Sequence, residues 1–114
     1  MYRQGDVLIV PVAGPVDEAP PAVAAAIAGI APAQRDARGR MVLALGEVTG
    51  HAHAVVGKGA LYPSIAEFEP MHLHLPHGGR VVHEEHAAFT LPAGWYKVVR
   101  QREYEPGSLR MVAD

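Results

Sequence analysis

Residues 46–56, GEVTGHAHAVV, contain the strand on which both the fold and the site depend. After the turn-forming pair Thr49-Gly50, the run HAHAVV (51–56) combines small and β-branched residues and is predicted to form a β-strand. Residues two apart in a strand project from the same face, so His51 and His53 should lie side by side. The glycine and alanines around them leave room for a ligand to approach.

Similar short strands are expected on both sides of this stretch. Gly- and Pro-containing turns separate them, and the segment 81–91 is expected to form a strand, a bend and a second strand. Many short strands joined by such turns predict an all-β fold class, a small barrel or sandwich formed as one domain over residues 1–114. The predicted strands are DVLIVPV (6–12), MVLALG (41–46), MHLHLP (71–76), VVHEEHAAFTL (81–91) and WYKVVRQREYEP (95–106).

Residues 13–40 differ from the rest of the chain in composition. Alanine, proline and glycine dominate AGPVDEAPPAVAAAIAGIAPAQRDARGR. This composition favours an insertion loop. The alternative is a short helix that begins near Pro20-Pro21 and ends at Gly29 or Pro32.

The segment MHLHLP (71–76) alternates between leucine and histidine. This period of two predicts that Leu73 and Leu75 face the core and that His72 and His74 face solvent.

Composition restricts the function classes. The 114 residues include no cysteine, which rules out disulfides and thiolate metal sites. The apolar run VLIV near the N-terminus is too short for a signal peptide or a membrane span, so we expect a soluble cytoplasmic protein. A net charge of −2 gives no general electrostatic basis for binding nucleic acid. The seven histidines all lie between His51 and His86, so the enrichment is local.

The histidines predict a metal site. Two imidazoles from one strand are a common start for binding Zn, Fe, Ni or Mn, and further ligands must come from elsewhere. The segment VHEEHA supplies His83 and His86, of which His83 is favoured, and His86 joins it if the chain bends there. The predicted metal ligands are therefore His51, His53, His83 and His86, for a divalent transition metal. HEEH is one residue short of either zinc-hydrolase spacing, HExxH or HxxEH.

Nearby carboxylates suggest how such a site would act. Glu84 and Glu85 are candidate catalytic bases if the protein is an enzyme that works on a small-molecule substrate. Glu47 is a candidate for orienting an imidazole from outside the metal's own ligands. Whether the protein is an enzyme or only binds a metal or a small ligand stays open.

A different class of function is the alternative. The histidines would then be a hydrogen-bonded structural pair or a pH sensor, and the protein would be a non-enzymatic interaction module. Arg100, Arg102 and Tyr104 on one strand face would bind an anionic partner, protein or RNA, unless they form cross-strand pairs with Glu84 or Glu85. Exposed strand edges leave a homo-oligomer open.

The chain resembles a small bacterial protein family with no established activity. The segments that carry this resemblance are YRQGDVLIVPV, LALGEVTGHAHAV, VHEEHAAFTLPAGWYKVVRQREY and the terminal RMVAD. It implies one ordered domain and no particular mechanism.

A second resemblance is to cupins, which are small metal-binding β-barrels. Their H-x-H motif after a glycine matches His51 and His53, and their P-x-G-x-x-H motif matches Pro92 and Gly94, with Lys97 in place of the final histidine. The resemblance implies a cupin-like barrel, with an SH3-like barrel as the other form considered. It also implies that His83 or His86 supplies the missing ligand.

Overall fold

A computed structural model of the chain describes residues 1–45, 50–64, 66, 69–105 and 108–111, and of 102–105 and 108–111 the backbone alone. Glu47 lies outside the described residues, as do the side chains of Arg102 and Tyr104. The elements are β1 Tyr2–Gln4, β2 Val7–Val12, α1 Pro21–Ile27, β3 Met41–Leu45, β4 Ala52–Val56, β5 Ala60–Tyr62, β6 Met71–Leu75, β7 Gly79–Val82, β8 Phe89–Leu91, β9 Gly94–Arg100, β10 Arg102–Glu105 and β11 Ser108–Met111.

The described strands form antiparallel sheets. One sheet has five strands in the order β1-β2-β9-β6-β5, and the other has four in the order β3-β4-β7-β8. Strands β10 and β11 pair only with each other among the described strands. The predicted all-β fold class is confirmed. The described strands form no closed barrel, so of the two predicted forms the sandwich fits.

The core lies between the two sheets. Ile9 and Leu73 from the five-stranded sheet and Val55 and Val81 from the four-stranded sheet belong to one buried cluster, and each is fully buried. Burying a side chain of this size contributes about 1.5–3 kcal/mol. Because both sheets contribute, neither one buries its apolar face without the other.

Residues 13–40 cover part of the outer face of the five-stranded sheet. The helix α1 begins next to Pro20 and buries Val23, which is 1% exposed. The segment is therefore an insertion that contains the short helix predicted as the alternative.

The predicted solvent exposure of His72 and His74 is wrong, because this insertion lies over them. His72 is only 7% exposed, and His74 Nε2 is 2.8 Å from the carbonyl oxygen of Val16. Leu73 and Leu75 face the core, as the alternation predicts.

Two interruptions of the strands position the residues of the candidate site. The predicted strand, bend and strand over 81–91 is confirmed: β7 ends at Val82, the bend covers residues 84–86, and β8 begins at Phe89. The predicted long strand over 95–106 is interrupted at Gln101, whose backbone N–H donates to the carbonyl of Asp6 at 2.7 Å. Asp6 itself lies in the turn between β1 and β2.

In the part of the chain that the structure describes, no helix is both long enough and apolar enough to cross a membrane.

Candidate functional site

Strand β4 carries the centre of the candidate site into the interior. It lies between β3 and β7 in the four-stranded sheet, and His53 is opposite Ala44 of β3. The side chain of His53 is 0% exposed, which is unusual for a polar residue. His51 lies just before the strand and remains 22% exposed. One histidine of the predicted pair is therefore sealed, and the other reaches solvent.

The four predicted metal ligands form one cluster, named the histidine cluster below. His53 is central: its ring centroid lies 4.3 Å from that of His83 and 5.7 Å from that of His86. The ring of His83 lies 5.7 Å from that of His51 and 4.7 Å from that of His86. The cluster thus joins β4 to the bend that follows β7.

The bend explains how both His83 and His86 reach the cluster. Residues three apart diverge in a regular strand, but here the chain turns back on itself immediately after His83. His83 Nδ1 accepts the backbone N–H of Glu85 at 3.0 Å and that of His86 at 3.3 Å. The side chain of His83 therefore stabilises the turn that brings His86 beside it.

Gln4 determines how the ring of His53 is protonated. The amide Nε2 of Gln4 donates to the carbonyl of Ala87 at 3.0 Å, which directs its Oε1 to His53 Nδ1 at 2.9 Å. An amide oxygen only accepts, so Nδ1 of His53 is the donor. In the neutral ring the lone pair is then on Nε2.

A buried ion pair lies on the other side of His53. Arg100 donates from Nε and Nη2 to Asp6 Oδ2 at 3.0 and 2.6 Å. The second carboxylate oxygen of Asp6 lies 3.8 Å from His53 Nε2, and both Asp6 and His53 are completely buried. Arg100 is thus paired with Asp6 rather than with Glu84 or Glu85, and its predicted role in binding an anionic partner stays a prediction.

The sequence interpretation missed Asp6 and Gln4. One signal was available: an aspartate directly before the apolar run VLIV is a charged group at the edge of a buried strand, where it needs a partner. Gln4 carried no comparable signal, because its partners are remote in the chain.

The two glutamates of the bend differ in their surroundings. Glu84 Oε1 accepts the backbone N–H of Ala52 at 2.6 Å and so ties the bend to the start of β4. That hydrogen bond, with the nearby imidazoles, holds the pKa of Glu84 below its usual value. Glu85 is 66% exposed, and its Oε1 lies 3.6 Å from His51 Nδ1. Of the two predicted bases, Glu85 has the carboxylate that is more accessible to a substrate.

The arrangement of the rings is not that of a loaded metal centre. Among the described residues, no three or more His, Cys, Asp or Glu side chains are arranged to hold a metal ion. The predicted ligands are brought together through contacts between rings rather than through nitrogens directed at one point.

Residues 3–101 match the family model described as Domain of unknown function (DUF8820). No curated protein and no solved structure matches the chain. The match includes the whole histidine cluster, with Gln4, Asp6 and Arg100, and excludes the β10–β11 pair. It is consistent with the predicted resemblance to a family without an established activity, whereas the resemblance to cupins stays a prediction.

Proposed function

The chain belongs to the family Domain of unknown function (DUF8820), and we propose that its histidine cluster binds a divalent transition metal, Zn, Fe, Ni or Mn. The ligands are drawn from His51, His53, His83 and His86. The observation that carries the proposal is the close approach of these four rings at one end of the sandwich.

The spacing of the rings supports the proposal. Two imidazoles bound to one tetrahedral ion at ordinary bond lengths have ring centroids about 5 Å apart. The observed separations run from 4.3 to 5.7 Å and therefore bracket that distance. Shared ligation would require the side chains to rotate out of these ring contacts.

The tautomer of His53 also supports metal binding at the histidine cluster. Metal-bound histidines generally donate their second ring nitrogen to a carbonyl or carboxylate oxygen, which fixes the ring and raises its basicity. The Nδ1 contact of His53 with Gln4 has this form and makes Nε2 the ligand atom. His83 differs, because its Nδ1 accepts backbone N–H groups and its neutral ring then carries the proton on Nε2. Binding through Nε2 of His83 would therefore move the ring proton to Nδ1, at the cost of its hydrogen bonds from the backbone N–H groups of Glu85 and His86.

A bound metal would supply Lewis acidity, to a coordinated water or to a small-molecule ligand. Glu85 is exposed and close to His51, so it is the better placed of the two glutamates to accept a proton from a bound species. Glu84 is engaged by the N–H of Ala52 and acts by holding the bend against β4.

Elemental analysis tests the proposal. Wild-type protein, purified without chelator or tag, is incubated with each of the four metals and desalted. The paired variant is His51→Gln/His86→Gln, chosen because both residues are partly exposed. The control is His77→Gln, an exposed histidine of the β6–β7 turn. About one equivalent of one metal in wild type and control, lost in the double variant, supports the proposal.

No retained metal in wild type would overturn it. The interaction-module alternative would then take its place, with the histidines as structural groups. Loss of metal from the control as well as from the double variant would count equally against the assigned site, since His77 is not among its ligands.

A further inference from the structure

The buried carboxylate of Asp6 stands out once the histidine cluster is treated as a metal site. It approaches His53 from the turn between β1 and β2, so it belongs to the opposite sheet from the four histidines. The carboxylate of Asp6 lies next to the completely buried ring of His53, whereas Glu84 and Glu85 are on the exposed bend.

We propose that Asp6 is the anionic ligand of this centre, so that the site is a mixed imidazole–carboxylate site rather than an all-histidine one. This inference rests on the proposed function. It assigns a residue on a third segment of the chain to the site, and it makes metal binding a link between the two sheets.

The distance between the two candidate ligand atoms supports the assignment. Two atoms each bound to one tetrahedral ion at the usual lengths are about 3.4 Å apart. Asp6 Oδ1 lies 3.8 Å from His53 Nε2, which is too long for a hydrogen bond and close to the separation of two co-ligands. A shift of about 0.4 Å would bring these two atoms to that separation.

Asp6 and His53 are each held by hydrogen bonds with residues outside the ligand set, as metal ligands usually are. Arg100 donates two hydrogen bonds to Oδ2 of Asp6, which turns Oδ1 towards His53. Gln4 accepts from Nδ1 of His53, which leaves Nε2 of the ring on the side of Asp6. Partners outside the ligand set that orient both groups are typical of metal sites.

The ligand types also indicate which metals the site would bind. A carboxylate oxygen together with imidazole nitrogens suits Zn²⁺, Fe²⁺, Mn²⁺ and Ni²⁺, and is unsuited to Cu⁺, which prefers sulfur ligands.

Cobalt binding separates this inference from the proposed function. Co²⁺ is titrated into wild type, Asp6→Asn and Asp36→Asn while the visible absorption is recorded. Asp36 is the matched control, because it forms a 2.8 Å ion pair with Arg40 and hydrogen bonds to backbone N–H groups. If Asp6 is a ligand, Asp6→Asn should weaken Co²⁺ binding about 100-fold and change the spectrum, whereas Asp36→Asn should do neither.

Wild-type binding with unchanged affinity and spectrum in Asp6→Asn would overturn this inference alone. Absence of binding in wild type would overturn the proposed function, and this inference with it. A second variant decides the matter if Asp6→Asn does not fold. Arg100→Met removes the group that orients the Asp6 carboxylate, so if Asp6 is a ligand, Zn²⁺ should raise the Tm of this variant less than that of wild type. An equal or larger increase would contradict the assignment.

Discussion

Replacing Arg100 by methionine should be among the most damaging changes at the end of β9. The substitution keeps most of the aliphatic stem but leaves Asp6 without its guanidinium partner. Asp6 is 0% exposed, whereas Arg100 is 32% exposed. Removing one partner of a buried ion pair costs about 3–5 kcal/mol, because the remaining charge stays desolvated. Water reaches the guanidinium end of this pair, so the lower end of that range, about 3 kcal/mol, applies here.

Urea denaturation measures this cost. Trp95 is the single tryptophan and is 6% exposed, so its fluorescence reports unfolding. With a slope of about 1.5 kcal/mol per M, Arg100→Met should lower the urea midpoint by about 2 M. Adding Asp6→Asn to Arg100→Met removes the stranded charge and should recover about half of that shift.

The matched control is Arg40→Met, which breaks the Asp36–Arg40 pair in a surface loop and should lower the urea midpoint far less, because exposed ion pairs contribute little to stability. An Arg100→Met shift below about 0.5 M would show that the Asp6–Arg100 pair contributes little to stability. A double variant less stable than Arg100→Met would show that relief of a stranded charge plays no part.

Three other predictions concern the backbone and two titrating groups. Gly59→Ala should lower the free energy of unfolding in urea by about 2–3 kcal/mol, because φ at Gly59 is +137° and the added Cβ would clash with the carbonyl oxygen of His74. Gly39→Ala, at φ +77° with open space around it, should cost only about 1 kcal/mol, and equal costs would contradict this prediction. Because the pKa of Glu84 is lowered in the folded protein, its ionised carboxylate stabilises the fold at neutral pH, and this stabilisation is lost as the pH falls below about 4.5. Between pH 5 and about 3, the stability of Glu84→Gln should therefore fall less steeply than that of wild type. Burial, and then the charge of Lys97, lowers the pKa of His72, so protons bind the unfolded chain more readily than the folded one. As the pH falls below about 6.5, the Tm of wild type should therefore fall more steeply than that of His72→Gln, and parallel curves of Tm against pH would contradict this prediction.

Much of the fold could be predicted because its signals are local. The period of two in MHLHL indicates which side chains enter the core, and Leu73 and Leu75 do so. The polar run HEEH between two apolar strands indicates a bend, which the structure shows. The cover over His72 could not be predicted in this way, since it depends on where the α1 segment packs in three dimensions.

The sequence could indicate the histidines of the candidate site but not how they meet. The rings of His53 and His83 lie together because β4 pairs with β7. His51 lies just before β4, and its ring contacts that of His83. Gln4 is 49 residues from His53, and Arg100 is 94 residues from Asp6. Contacts of that range depend on how the two sheets pack, and no local pattern encodes them. The cytoplasmic location and a homo-oligomer stay predictions, as do the cupin resemblance and metal binding itself.

Zinc titration followed by NMR of the imidazole nitrogens tests whether the histidine cluster binds metal. The chain has seven histidines, and long-range ¹H–¹⁵N spectra resolve the two nitrogens of each ring. If the cluster binds metal, one equivalent of Zn²⁺ should shift its ring nitrogens, with His53 responding at Nε2 and keeping its proton on Nδ1. His72, His74 and His77 should not change. Shifts at those three, or none within the cluster, would rule out metal binding at the histidine cluster.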